Sequence, residues 1–404
     1  MDSRQYYAWW QREDLCYQGG QLHFAGRAVR QLAAQFGSRS FVYSFARVRQ
    51  NLDRLHQALA EAELQAGFTV LYAMKANRFV PLLTRLQETG RCGIDACSPN
   101  EVELAVSCGF APSDISFTAG NLSRADYEQL ARYEGLFMDC DSLHAIRTWG
   151  QYKPGAKIGI RINPAAGVSR EANSALQYAG KTVTKFGIYQ EQFDEALATA
   201  TDCGLTVTKI HFHTGCGYLT PQLNQLDEVI ERCMWFIKRC DKLEKVNMGG
   251  GLGVPHNVFD QPLDLTQWAA VLKKHFSKTG LHLEVEPGEY LLKDAGILLL
   301  EKTMVEKKKD IVFLGLDAGF NLAPEPAYYQ LPLQPVPLDQ KDEVFSPMRV
   351  VGNINEAIDV WYDQSWMPDM DGQEYLALIN AGAYSSSMAS NHCMRGQFKE
   401  FLLP

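Results

Sequence analysis

The chain carries an amine, an imidazole, a glycine run and an acid, each closing a short apolar run. Lys75 stands in YAMKAN. A lysine among apolar residues is costly unless it is paired or used chemically. Desolvation lowers its pKa, and a neutral amine condenses with aldehydes. Taken alone, Lys75 reads more readily as a salt-bridge partner than as a reactive amine. Gly249, Gly250 and Gly251, in NMGGGLG, offer bare backbone amides that suit a phosphate. Taken alone, they read as a tight turn. Glu286 in EVEPG could face a ring nitrogen and keep it protonated, and His213 in HFHTG could lie flat on an aromatic ring. Together the four features fit pyridoxal 5′-phosphate, which needs an amine to bond, an acid for its ring nitrogen and a phosphate site.

Elements must bring these residues together. Eight β-branched or apolar runs alternate with helical patterns: VLYAMKAN, GIDACS, DISFTAG, LFMDCDS, KIGIRINP, KIHFHTG, KVNMGGGLG and LHLEVEPG. Strands alternating with helices predict a parallel sheet, and eight of them predict a closed (β/α)₈ TIM-type barrel. Lys75, Asp95, Asp139, Arg161, His213, the three glycines and Glu286 all fall near the ends of these runs. In such a barrel those ends share one mouth. Asp139 and Asp141 can also be read as caps of the next helix. His211 is expected to face away from His213, toward a helix. Beyond Gly288 the pattern turns to β segments with few helices, so an antiparallel β domain closed by a terminal helix is expected. Residues 1–40 are assigned to pair with it, 41–289 to the barrel and 290–404 to the β domain. QLHFAGRAV and FVYSF are the pairing segments, and the proline-rich LAPEPAYYQLPLQPVPLDQKDE is expected to be a loop.

The composition sets limits. With 404 residues the chain is too long for one compact core. A net charge of −8 repels polyanions, so nucleic acid is not expected as a partner. No run of 18 apolar residues occurs, so no membrane partner is expected, and no signal-peptide pattern opens the chain. The ten cysteines lack paired CxxC spacing, which argues against zinc, and reduced thiols in the cytoplasm are the simplest account.

The motifs resemble one family, the fold-type III pyridoxal-phosphate decarboxylases: diaminopimelate, ornithine, biosynthetic arginine and carboxynorspermidine decarboxylases. YAMKAN, GIDACSPNE, RIN, HFHTG, GGGLG, EPG, LDAGFN, VGNINEAID and GAYSSSMASN follow the family's order over nearly the whole chain. The resemblance implies an alanine racemase-like barrel with a C-terminal β domain. It implies that Lys75 bonds the cofactor aldehyde, His213 stacks on the ring and Glu286 pairs with its nitrogen. Gly250, Gly251 and Gly288 would meet the phosphate, helped by the Tyr384 hydroxyl, with Cys216 as a phosphate or packing contact. Asp95, Glu101 and Arg161 would support lysine and cofactor. The substrate is an amino acid whose α-carboxylate leaves as CO₂. Family members are homodimers, so the VGNINEAID box would reach the site of a second copy.

Departures from the family bear on substrate and proton transfer. EPGR becomes EPGEY with Glu289, and an RPALY-like segment becomes EPAYY with Glu325. Two cations that hold a distal carboxylate thus become anions, which by Coulomb sign opposes diaminopimelate. Tyr329 is followed by Gln330, where ornithine enzymes place an aspartate. Glu289, Glu325, Tyr329 and Glu356 are the candidate substrate contacts. In the box, Asn355 takes the place of the usual cysteine and is followed by Glu356. Asparagine is no comparable acid. Asn355 and Glu356 are carried as catalytic candidates beside Lys75 and His213, and the proton would come from His213, Lys75, Tyr329 or water.

The reading reached is decarboxylation of a diamino acid or its conjugate in a siderophore or other specialised pathway, of the citryl-diaminopropionate type. The alternatives are diaminopimelate or carboxynorspermidine decarboxylation, an amino-acid racemase on the same barrel, and an inactive homologue that binds a partner protein.

Overall fold

The computed structural model describes residues 9–170, 178–180, 182–213, 215–340 and 345–404. The chain divides into two compact units. One comprises Asp53–Gly253 and Pro262–Gly288; the other comprises Met1–Leu52, Val254–Gln261 and Glu289–Pro404.

The first unit is a closed barrel of eight parallel strands. They are β1 (Phe68–Ala73), β2 (Gly93–Ala96), β3 (Ile115–Thr118), β4 (Phe137–Cys140), β5 (Lys157–Arg161), β6 (Thr206–His211), β7 (Lys245–Asn247) and β8 (His282–Val285). Each of the eight apolar runs supplies one strand. The helical patterns between them also form; Val80–Glu88, Pro99–Ser107 and Gln190–Asp202 are examples. Ser142 caps helix Leu143–Tyr152 by accepting from the Ala145 amide. Neither Asp139 nor Asp141 does this, because a serine stands at the capping position itself.

Side chains alternate across a strand, so every second residue of β6 enters the lumen. Lys209 lies there fully buried, 2.8 Å from Asp139 on β4 and 3.1 Å from Glu284 on β8. It also donates to Ser116 at 2.8 Å. Three acceptors for three ammonium protons make this burial tolerable. Gly159 leaves the space, since a Cβ there would overlap Asp139. His211, two residues on, shares the lumenal face. It does not turn toward a helix, because a spacing of two keeps it on the side of Lys209.

The second unit is built on a mixed sheet. Its central strand, Gly296–Lys308, pairs antiparallel with Ile311–Leu316, Tyr375–Ile379 and Ser40–Ser44. Two pairings are parallel, Ile311–Leu316 with Ser346–Val351 and Lys399–Leu403 with Ser40–Ser44, so the sheet is not purely antiparallel. FVYSF thus supplies a strand of this sheet. The hairpin Leu15–Gln18/Gln21–Phe24 packs Leu22 and Phe24 against Val42, Ile297, Leu299 and Ile379.

Three expectations are corrected here. The C terminus ends in the strand Lys399–Leu403 and not in a helix, for Ser386–Met388 and His392–Met394 are single turns. The proline-rich segment holds a short helix, Glu325–Tyr329, and a strand, Pro335–Pro337. The barrel sequence is interrupted: Val254–Gln261 joins the β-rich unit, where the Asn380 side chain donates to the Pro255 carbonyl at 2.9 Å.

Candidate active site

At the end of β1 the chain turns through Met74–Ala76 and presents Lys75 with its side chain 43% exposed. Its Nζ lies 3.2 Å from Oδ2 of Asp95, the buried residue near the end of β2, and 3.5 Å from Cys97 Sγ. Burial raises the pKa of Asp95, the charge of Glu286 adds to this, and Lys75 opposes it. Oδ1 of Asp95 is buried without a hydrogen-bond partner among the described residues. Glu101, whose pKa burial also raises, accepts from the Cys97 amide at 2.7 Å.

Glu286 follows β8 and is buried, which raises its pKa. One of its oxygens accepts from Asn247 Nδ2 at 2.6 Å, and the other lies 3.3 Å from His211 Nε2. Arg161 ends β5, buried, with its guanidinium 4.8 Å from the Phe186 ring centre. His213 follows β6. Its ring stands edge-on to Tyr178 at 4.7 Å, and Nδ1 accepts from the Gly250 amide at 3.3 Å. Desolvation, with Lys75 and Arg161 nearby, holds this imidazole well below its usual pKa, so it is neutral. Cys216 Sγ lies 3.9 Å from His213 Nε2.

The glycine turn is required by space. Gly249 and Gly251 have φ of +67° and +100°. A Cβ at Gly250 would overlap the Glu286 carbonyl, and one at Gly251 the Gly215 carbonyl. Gly288 is buried just beyond Pro287, whose carbonyl accepts from the Ala73 amide at 3.2 Å. Bare amides, a buried acid and an exposed amine beside a carboxylate with an unused oxygen form a donor set that fits pyridoxal 5′-phosphate.

The other candidates lie in the β-rich unit. Glu289 is buried and accepts from His256 Nε2 at 3.0 Å and the Val254 amide at 3.3 Å. Glu325 is buried against Lys293. Both carboxylates are engaged within their own unit, unlike the free anions that the Coulomb argument against diaminopimelate assumed. Tyr329 is partly buried at the end of its helix. Asn355 and Glu356 are exposed in a turn, with Glu356 3.2 Å from His392 Nε2. Tyr384 holds a left-handed backbone, φ +53°.

Sequence reasoning missed Asn247, His211, Lys293 and His256. For His211 the two-residue spacing in KIHFH was signal enough. Asn247 sits two residues before the glycine turn, and its Oδ1 accepts the Gly249 amide at 2.8 Å. Lys293 and His256 carried no local signal.

A family described as "Pyridoxal-dependent decarboxylase, pyridoxal binding domain" matches residues 46–293, more than half the chain. This chain belongs to that family. It is a pyridoxal 5′-phosphate-dependent carboxy-lyase. The decarboxylase is 32% identical over 401 residues to diaminopimelate decarboxylase of Methanothermobacter thermautotrophicus, covering 95% of this chain and 91% of that one. It is 27% identical over 393 residues to the Escherichia coli K12 diaminopimelate decarboxylase, covering 92% and 90%. Among solved structures, Helicobacter pylori diaminopimelate decarboxylase complexed with L-lysine aligns with TM-score 0.83 and 25% identity, over 93% of this chain and 94% of that one. Diaminopimelate decarboxylase from M. jannaschi aligns at TM-score 0.86 and 24% identity, over 97% of this chain and 93% of that one, a likeness of fold. Among the described residues, no helix is long and apolar enough to cross a membrane.

Proposed function

We propose that this decarboxylase acts on a diamino acid of the diaminopimelate class and removes its α-carboxylate. The end-to-end identity of 32% with a diaminopimelate decarboxylase carries this reading. It replaces the siderophore-type conjugate as the preferred substrate. The charge argument for that conjugate loses its basis once Glu289 is hydrogen-bonded with His256 and Glu325 is paired with Lys293. A distal carboxylate would then be met by cations at other positions.

In this reading Lys75 would hold the cofactor covalently through its amine, with Asp95 keeping the lysine nitrogen in place. Gly250, Gly251 and Gly288 would receive the phosphate. Glu286 would keep the ring nitrogen protonated, and neutral His213 would pack on the ring. When bound, the cofactor supplies the sink for the electron pair left by CO₂. Arg161 and Glu101 support these groups by charge. Asn355 cannot donate a proton, so Lys75 or water returns one to the α-carbon. The exposed Asn355 and Glu356 support a homodimer in which each copy offers its turn to the other. The ten cysteines, none of them disulfide-bonded, support a cytoplasmic setting.

The experiment is CO₂ release, followed beside optical rotation, on diaminopimelate stereoisomers, lysine, ornithine and diaminopropionate–citrate conjugates. Release from diaminopimelate above all others is expected. Release only from substrates lacking a distal carboxylate overturns the substrate reading. Loss of rotation without CO₂ overturns decarboxylation in favour of racemisation.

A further inference from the structure

The carboxylate of Glu286 has to be ionised to keep a ring nitrogen protonated, yet it is buried beside a second buried carboxylate, Asp95. It is also faced by Lys75, Arg161 and Lys209. Burial alone favours its neutral form. Two side-chain donors oppose that, and they come from the two barrel strands β6 and β7. Asn247 donates to one oxygen at 2.6 Å, and the other oxygen lies 3.3 Å from His211 Nε2.

His211 is fully enclosed in the lumen and faces Asp139, Arg161, Lys209 and Asp95 as well. Desolvation holds its pKa down to about 3, so the ring is neutral and has a single proton to place. Its Nδ1 is buried with no hydrogen-bond partner among the described residues. A proton on Nδ1 would therefore meet nothing, whereas a proton on Nε2 meets Glu286. The bare Nδ1 is a cost borne by the fold, and the contact with Glu286 is what the ring gains in return.

We propose that His211 is a positioning residue for the cofactor, donating Nε2–H to Glu286 so that this carboxylate stays ionised for the ring nitrogen. The inference rests on the assignment of that nitrogen to Glu286. His211 itself touches neither cofactor nor substrate in this role. It acts through the acid, and Asn247 braces the opposite oxygen while tying it to the Gly249 amide.

The test uses the full chain loaded with pyridoxal 5′-phosphate labelled with ¹⁵N in its ring, followed by NMR across pH and by cofactor titration. His211→Leu is expected to lower the pH at which the ring nitrogen loses its proton by at least about one unit, and to weaken cofactor binding about tenfold. His211→Gln keeps an N–H donor and is expected to stay within about threefold of the parent. Glu286→Gln separates the two claims. If the ring nitrogen stays protonated in that variant, the assignment of Glu286 is wrong. If Glu286→Gln releases the proton but His211→Leu behaves as the parent, the inference about His211 is wrong. Histidine ¹⁵N spectra of the unmodified holoenzyme read the tautomer directly and do not depend on any variant folding. A proton on Nε2 supports the proposal, and a proton on Nδ1 or on both nitrogens overturns it.

Discussion

Lys293 and Glu325 pair inside the β-rich unit, with the ammonium fully buried and donating also to the Ala383 carbonyl at 3.1 Å. Desolvation pulls Lys293 down to about 7, while Glu289 pushes the other way. The pair joins the turn after Glu289–Leu292, the helix Glu325–Tyr329 and the segment leading into Tyr384. Read as a sequence, Glu325 is an anion where relatives carry a cation. Folded, it is half of an internal pair.

Removing one member should therefore cost more than removing both. Lys293→Met leaves Glu325 buried and unpaired, and roughly 3–5 kcal/mol of stability should be lost. Lys293→Met with Glu325→Leu should recover most of it. Urea unfolding of the two variants decides this, and equal losses would show that the two charges are not coupled.

Glu289→Arg would set a guanidinium against His256 and leave the Val254 amide without its acceptor. Destabilisation of about 2 kcal/mol or more is expected before any change in substrate preference. Thermal unfolding beside a substrate profile separates the effects. An arginine variant of parental stability that gains activity on distal carboxylates would restore the view that this side chain meets substrate.

Lys75→Ala removes the amine that would bond the cofactor and leaves Asp95 without its cation. The absorption band of the covalently held cofactor should vanish, and turnover should fall by more than roughly 100-fold. Parental turnover in this variant would end the assignment.

Gly250→Ala drives a methyl group into the Glu286 carbonyl. Cofactor affinity should drop at least about tenfold as the turn shifts, a loss of roughly 1.4 kcal/mol in binding. Fluorescence titration with pyridoxal 5′-phosphate measures it, and unchanged affinity would show that the turn does not carry the phosphate.

Stability should depend on Glu284 at acid pH. Burial pushes its pKa up, but Lys209 and Lys245 outweigh that and bring it from 4.5 to about 2. A depressed folded pKa means the stabilisation is complete above pH 4.5 and is lost as pH falls toward about 2. It is of order 3 kcal/mol. Urea midpoints at several pH values should slope downward across that window, and Glu284→Gln should flatten the slope while lowering stability at neutral pH.

The barrel was legible because its information is local. Eight apolar runs, each ended by polar or glycine residues, state a period and a count that need no knowledge of neighbours. The positions of Lys75, Asp95, Arg161 and Glu286 near strand ends follow from the same count. A mixed sheet could not be told from an antiparallel one, because pairing direction depends on which strand lies alongside. For the same reason the terminal strand Lys399–Leu403 was not legible, since it is defined by its pairing with Ser40–Ser44. What the sequence by itself determined was the architecture and the kinds of groups at one rim. Only the tertiary structure decided which polar groups are matched to one another. Lys209 with Asp139, Lys293 with Glu325 and His211 with Glu286 are separated by 70, 32 and 75 residues, and an electrostatic partner is a matter of distance in space.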